Sequence, residues 1–178
     1  AFFFFFEKYR NNFDAPVFKA LILEDVIYGK NLIQYVLIEA KLSTIQRLWS
    51  EVTSLTDDRE MKEILKPSDI KQSGENDILA GAVFNNKNQG SVPFIWSIFE
   101  QHFDINSMTE IIHEKHQVGN NIFQIASSHA NLDAAQFVWN KITQLLDNDD
   151  EKIKKYLLIE NKVTMLASEN CHSNSDPN

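Results

Sequence analysis

GNNIFQIASSHANLDAAQFVWNKITQLL, residues 119–146, reads as two helices joined by a tight turn. Asn121 can cap the first, because an Asn side chain accepts a hydrogen bond from an orphan amide of a helix's first turn. Ile122, Phe123, Ile125 and Ala126 then form an apolar face at helical spacing. The segment Ala130-Asn131-Leu132-Asp133 breaks the pattern, and Asp133 offers a second cap for a helix from Ala134 to Leu146. Phe137, Val138, Trp139, Ile142, Leu145 and Leu146 fall at the intervals of a helix buried on one side.

The same pattern recurs upstream. Gly29-Lys30-Asn31, Gly74-Glu75-Asn76 and Gly119-Asn120-Asn121 share the form Gly-x-Asn and lie 45 residues apart. After each comes an apolar stretch, a break and a tryptophan: Trp49, Trp96 and Trp139 follow their glycines by 20, 22 and 20 residues. The two extra residues of the middle unit fit a loop insertion at Asn85-Asn86-Lys87-Asn88-Gln89-Gly90-Ser91. Leu48, Ile95 and Val138 precede the tryptophans; Val52, Phe99 and Ile142 follow them by three. The matched positions predict that all three indoles pack between units. A period of this length marks solenoid architecture, in which each unit buries its apolar face only against its neighbours.

The boundaries follow from that register. Units span 29–73, 74–118 and 119–162, with a partial unit at 1–28 and another at 163–170, so that 1–170 forms one repeat domain. The polar residues 171–178 are expected to be a disordered tail. Ala1 in place of Met suggests a piece of a longer protein. Phe2–Phe6, five aromatics in a row, is too short to span a membrane and lacks the flanks of a signal peptide. Its expected place is an inner helix covered by a neighbouring unit.

Composition agrees with an all-α fold. Only 5 Gly and 4 Pro occur among 178 residues, and no segment alternates long enough to predict a strand. The net charge of −8 argues against a nucleic-acid or anionic-membrane footprint, which needs clustered Lys and Arg. A single cysteine, Cys171, and no glycosylation sequon suit a reducing, cytoplasmic setting.

Within the units, Pro16 suits the first turn of a helix predicted over Val17–Ile27 and closed by Gly29. Ser43 is the expected cap of the second helix of unit one, Thr44–Leu55. Short third helices are predicted at Arg59–Leu65, stopped by Pro67, at Ser107–His116 with Asn106 or Ser107 as cap, and at Lys152–Glu160 after the acidic run Asp147–Glu151. Gly81 lies inside a predicted helix, where it costs roughly 1 kcal/mol against Ala. A close helix–helix approach would account for it.

No constellation carries catalysis. His113 and His116 share a helical face with Glu110, yet they do not form the His-Glu-x-x-His pattern and lack a further ligand. A solvated polar face is the expected reading, with no metal. His102 and His129 suit helix ends. Cys171-His172 lies in a tail that cannot hold a nucleophile and base in register. The acidic run lacks the spaced Gly and Glu of a calcium loop. No phosphate-binding loop or Gly-x-Ser-x-Gly is present. The expectation is a non-enzymatic protein without cofactors.

The order Gly-x-Asn, short helix, Asn-Leu turn, longer helix resembles an ankyrin repeat. Gly119–Ala126 looks like that family's opening and Asn131-Leu132-Asp133 like its inter-helix turn; Gly29–Trp49 matches less well and Gly74–Trp96 least. The Thr-Pro-Leu-His tetrapeptide is absent, and the unit is ~45 residues where ankyrin has ~33, the excess holding a third helix. A HEAT- or armadillo-like unit fits the length better and the Gly-x-Asn opening worse. The resemblance implies a helical solenoid that binds protein partners through a long free face, with neither nucleic acid nor membrane as partner. Asn85, Asn86, Lys87, Asn88 and Gln89 are the candidate contact loop. Alternatives are a non-catalytic accessory domain of a larger enzyme or toxin-like protein and a structural HEAT/armadillo-like module.

Overall fold

In a computed structural model of the chain, the structure describes residues 14–23, 25–27, 30–66, 78–85, 90–114, 120–128 and 132–158. Among the described residues the fold is all-helical apart from one two-stranded ribbon. In chain order the elements are α1 (Ala15–Leu23), β1 (Asp25–Ile27), β2 (Lys30–Asn31), α2 (Leu32–Glu39), α3 (Leu42–Thr53), α4 (Asp58–Leu65), α5 (Ile78–Phe84), α6 (Ser91–His102), α7 (Ile105–His113), α8 (Ile122–Ser128), α9 (Leu132–Leu145) and α10 (Asp150–Leu157).

From α2 onward, a short, a longer and a short helix follow one another three times, with 8, 12 and 8, then 7, 12 and 9, then 7, 14 and 8 residues. Like packs on like between these triplets: α2 lies on α5 and α5 on α8, while α3 lies on α6 and α6 on α9. Each third helix also reaches forward, α4 onto α6 and α7 onto α9. Two rows of helices thus share one continuous apolar core. Helices this short are marginal alone, so packing of their apolar faces supplies most of their stability.

Equivalent positions in the second helices are buried alike. Leu48, Ile95 and Val138, and Val52, Phe99 and Ile142 three residues past the tryptophans, are all almost fully buried. Gln46, Pro93 and Gln136, on the opposite side, are exposed. Trp49 and Trp96 are 7% and 0% exposed. Trp139 departs from the expectation of core burial: it is only half-buried, resting on the ring of Phe123 at 4.9 Å in its own triplet.

Several boundaries differ from those the sequence suggests. The helix predicted to reach Ile27 ends at Leu23, and Asp25–Ile27 pairs antiparallel with Lys30–Asn31. β-Branched Val26 and Ile27 favour the extended form, and the ribbon runs straight into the Asn31 cap of α2. Ser43 does not cap α3; the helix starts at Leu42, with Lys41 before it making no side-chain cap. Asp133 lies inside the first turn of α9 rather than ahead of it. α7 is capped by Asp104, which accepts from the Ser107 amide at 2.8 Å, not by Asn106 or Ser107. Pro16 lies in the first turn of α1, as expected, and Asp14 accepts from the Val17 amide there. Gly29, Gly74, Asn76, Gly119, Pro67 and residues 159–178 lie outside the described residues.

Gly81 sits where α5 crosses α2. A Cβ there would come within 2.9 Å of the Ile38 side chain. Ile38 is buried and, being β-branched in a helix, has little rotameric freedom to retreat. The helix-propensity cost of glycine is thus offset by the approach of the two first helices. Gly81→Val is expected to cost about 1–3 kcal/mol through overpacking. Ile38→Ala in the same chain should recover part of that loss, which a double-mutant cycle of urea melts will measure.

Candidate interaction surface

The helix caps repeat between the triplets. Asn31 accepts from the Gln34 amide at 2.8 Å while Gln34 Oε1 accepts from the Asn31 amide at 3.0 Å. Asn121 and Gln124 make the same reciprocal pair, both at 2.9 Å. Both asparagines are buried. Each box also ties its first helix to the third helix of its triplet: Gln34 Nε2 donates to the Ile64 carbonyl, and Asn121 Nδ2 donates to the Tyr156 carbonyl. In the middle triplet Leu79 stands at the glutamine position.

A signal at the third helices escapes a search keyed to Gly-x-Asn and Trp. Asp57, Asp104 and Asp149 cap α4, α7 and α10, following the tryptophans by 8, 8 and 10 residues. Four residues beyond these caps stand Met61, Met108 and Ile153; seven beyond stand Ile64, Ile111 and Tyr156. The acidic run Asp147–Glu151 therefore serves as a helix start: Asp149 accepts from the Glu151 and Lys152 amides, and Lys152 pairs with Asp147 at 2.7 Å. That pairing raises the Lys152 ammonium above its ordinary value. Asp147 and Asn148 adopt the left-handed conformation, φ 58° and 53°, to turn the chain between α9 and α10.

Tyr156 is the one buried side chain of the described residues whose polar atom lacks a hydrogen-bond partner. Burial pushes its phenol well above the usual range, against a smaller opposing effect of the Phe123 backbone, which is not in hydrogen-bond geometry with it. Its ring stands edge-on to His113 at 5.3 Å. Leaving a buried hydroxyl unpaired costs about 1–3 kcal/mol. Tyr156→Phe should therefore leave stability unchanged or raise it by about 1 kcal/mol, whereas a paired hydroxyl would make the variant less stable in a thermal melt.

Charged contacts stitch the junctions. His102, the last residue of α6, donates from Nδ1 to Asp58 Oδ1 at 2.7 Å and stands edge-on to Trp49 at 6.2 Å. Lys62 holds the other oxygen of Asp58 at 2.8 Å. Lys62 first, then His102, keep the Asp58 carboxyl below its usual value. A depressed carboxylate adds stability above its unfolded pKa of about 4, and that contribution disappears as pH falls through the lower folded value. Asp58→Asn should therefore flatten the decline of melting temperature below about pH 4 relative to the parent chain. At the next junction Glu100 accepts from the Trp96 indole at 3.0 Å and from Lys141 at 2.6 Å. Lys141 lies over the Phe137 ring, which is itself edge-on to Trp96.

Two places could receive a partner. The carboxyl-terminal ends of α2 and α5 lie side by side, because Asn85 Nδ2 donates to the Ile38 carbonyl and to Glu39 Oε2. Next to it Phe84 is 59% exposed, and Tyr35 on α2 is 42% exposed. Of the candidate loop, only Asn85 is among the described residues; Asn86, Lys87, Asn88 and Gln89 are not. The second place is a cleft of about 230 Å³ between α6, α7 and α9, where Phe103, Ile105, Met108 and Leu145 meet the Glu100–Lys141 pair.

His113 Nδ1 donates to the Thr109 carbonyl at 2.7 Å. Among the described residues no three His, Cys, Asp or Glu side chains converge on a metal position. His116, His129 and Cys171-His172 lie outside them. No helix among the described residues is long and apolar enough to cross a membrane. Compared with known proteins, the chain matches no family model, no curated protein sequence and no solved structure.

Proposed function

We propose that the chain is a non-enzymatic scaffold that binds another protein, built as a solenoid of divergent ankyrin-like units and working in the cytoplasm. The observation that carries this reading is the pairing of equivalent helices, α2 on α5 on α8 and α3 on α6 on α9. An array stacked in this way buries a continuous core and leaves long faces free for partners. The reciprocal Asn–Gln boxes at α2 and α8, 90 residues apart, support a common ancestry of those units. Tyr35, Phe84 and the Asn85–Gln89 loop form the contact surface in this reading.

The third helix in each triplet favours a second description, an armadillo-like module, since such units run to ~40–47 residues with two or three helices. The partner class is the same in both. Photo-cross-linking from position 35 in cells tests the function. One recurrent protein adduct, lost in a Phe84→Asp background, is expected. Adducts that never recur, or that persist unchanged in that background, overturn it.

A further inference from the structure

The cleft between α6, α7 and α9 is built wholly from two continuous described stretches, 90–114 and 132–158, and its residues lie well inside both. Its counterpart at the preceding junction is bridged by the chain itself. Leu145 follows Trp139 by six residues, as His102 follows Trp96, and Ile105 follows the cap Asp104 by one, as Asp58 follows Asp57. His102 and Asp58 close on each other through a bond of 2.7 Å. Leu145 and Ile105 have no side-chain polar atoms for such a bond, and both line the cleft. Ile105 is 58% exposed there. Phe103 and Met108 continue the apolar surface, so the exposed isoleucine is not a solitary one.

We infer that this cleft receives one aromatic side chain, Phe or Trp, of a partner protein. The inference rests on the protein-binding reading above and adds a second contact point with its chemistry. Size selects a single ring. A cavity of about 150 Å³ in a protein core holds benzene, and the cleft offers about 230 Å³. The preceding junction places a ring, the His102 imidazole, at the position that Leu145 holds here. Met108, 2% exposed, supplies an unbranched thioether wall that adapts to a ring's shape and makes favourable sulfur–aromatic contacts. Charge selects a neutral occupant. Lys141 and Glu100 offset each other at 2.6 Å, so the rim carries no net charge. That pair presents both a donor and an acceptor to the peptide groups flanking the ring, the polar rim that an interface anchor requires.

The test uses the full chain with isotope-labelled Ile and Met methyls, titrated with N-acetyl-phenylalaninamide, a neutral capped ring. The Ile105 and Met108 signals should shift saturably, and N-acetyl-alaninamide should leave them in place. Ile105→Asp puts a carboxylate in the first turn of α7, where it is favourable, so the variant should fold. Read at Met108, it should weaken the probe about fivefold or more, while Leu132→Asp, on an exposed residue of α9, should stay within about twofold. The double variant Ile105→Asp with Leu145→His, which rebuilds the pair of the preceding junction, should bind no probe. Circular dichroism checks that each variant is folded. No saturable shift overturns the inference, and a cleft filled by the chain's own residues gives that result. Equal shifts with the alanine compound, or indifference to Ile105→Asp, also overturn it. Photo-cross-linking from position 105 in cells should capture the protein caught from position 35, and the adduct should disappear when the partner's mapped Phe or Trp is replaced by Ala. Recurrent adducts from position 35 with none from 105 overturn the cleft inference alone. No recurrent adduct from either position overturns the protein-binding reading as well.

Discussion

Trp96→Ala is expected to cost about 3–5 kcal/mol, the range for truncating a fully buried large aromatic. The indole is 0% exposed, and α6 packs on α3, α4, α5, α7 and α9, so no neighbouring helix can close the gap without moving another. The same substitution removes the edge-on contact with Phe137 and the indole bond to Glu100. Glu100 keeps Lys141 as a partner, so its charge is not stranded. Trp96→Phe should therefore cost much less, about 1–2 kcal/mol. Trp139→Ala should also cost less than Trp96→Ala, because a half-buried indole loses less apolar contact. The measurement is a urea melt of each variant. A loss below about 1 kcal/mol for Trp96→Ala would show that the rows are not stacked through α6. A fall in the denaturant slope would report a different failure, the triplets beginning to unfold one by one.

The contrast between the tryptophans shows what was legible in the sequence and what was not. Helical period, Gly-x-Asn openings and indoles 20 to 22 residues after them carry the helix pairs, because burial on one face leaves a 3.6-residue imprint on the residues themselves. Leu48, Ile95 and Val138 are legible for that reason. The extent to which Trp139 is covered depends on what lies against it, and a periodic sequence carries the same signal with or without a neighbour. The sequence offers stretches that start the third helices, at Thr56–Asp58 and Asp147–Glu151, without singling out the capping residue, and it places the α7 cap at Asn106 or Ser107. Asp57, Asp104 and Asp149 sit at uneven distances from the tryptophans, in stretches rich in other acids and amides. Several residues there could cap, and local chemistry alone does not choose among Asp104, Asn106 and Ser107. The short ribbon at Asp25–Asn31 is too brief to leave any alternation. For the proposed contact surface, the sequence offered a loop by its insertion, whereas the exposure of Tyr35 and Phe84 and the tie from Asn85 to Glu39 come only from how α2 and α5 meet.

Asn121→Ala should be the next most damaging single change, at about 2–4 kcal/mol, the sum of a lost helix cap and a lost buried bond to the Tyr156 carbonyl. The side chain is 0% exposed and works at both ends: Oδ1 accepts from the Gln124 amide, and Nδ2 donates to the Tyr156 carbonyl, 35 residues away. Alanine removes the cap of the first-turn amide of α8 and the Asn121 donor to that carbonyl, in a place water reaches poorly. Asp is the informative second variant. Its carboxylate can still cap α8 but has no N–H for Tyr156, and it places a charge where the site is closed. Asn121→Asp should therefore be about as destabilising as Asn121→Ala at pH 7. Asn31→Ala should cost less, about 1–2 kcal/mol, since the tie from α2 to α4 runs through Gln34 rather than through the cap itself. If the cap alone mattered, Asn31→Ala and Asn121→Ala would cost the same. If the tie between first and third helices matters, Gln34→Ala will lose more than Gln124→Ala, because Gln34 carries the bond to Ile64 that Asn121 carries to Tyr156 in the other triplet. That crossed pattern, measured in four melts, separates local helix capping from the closure of each three-helix group.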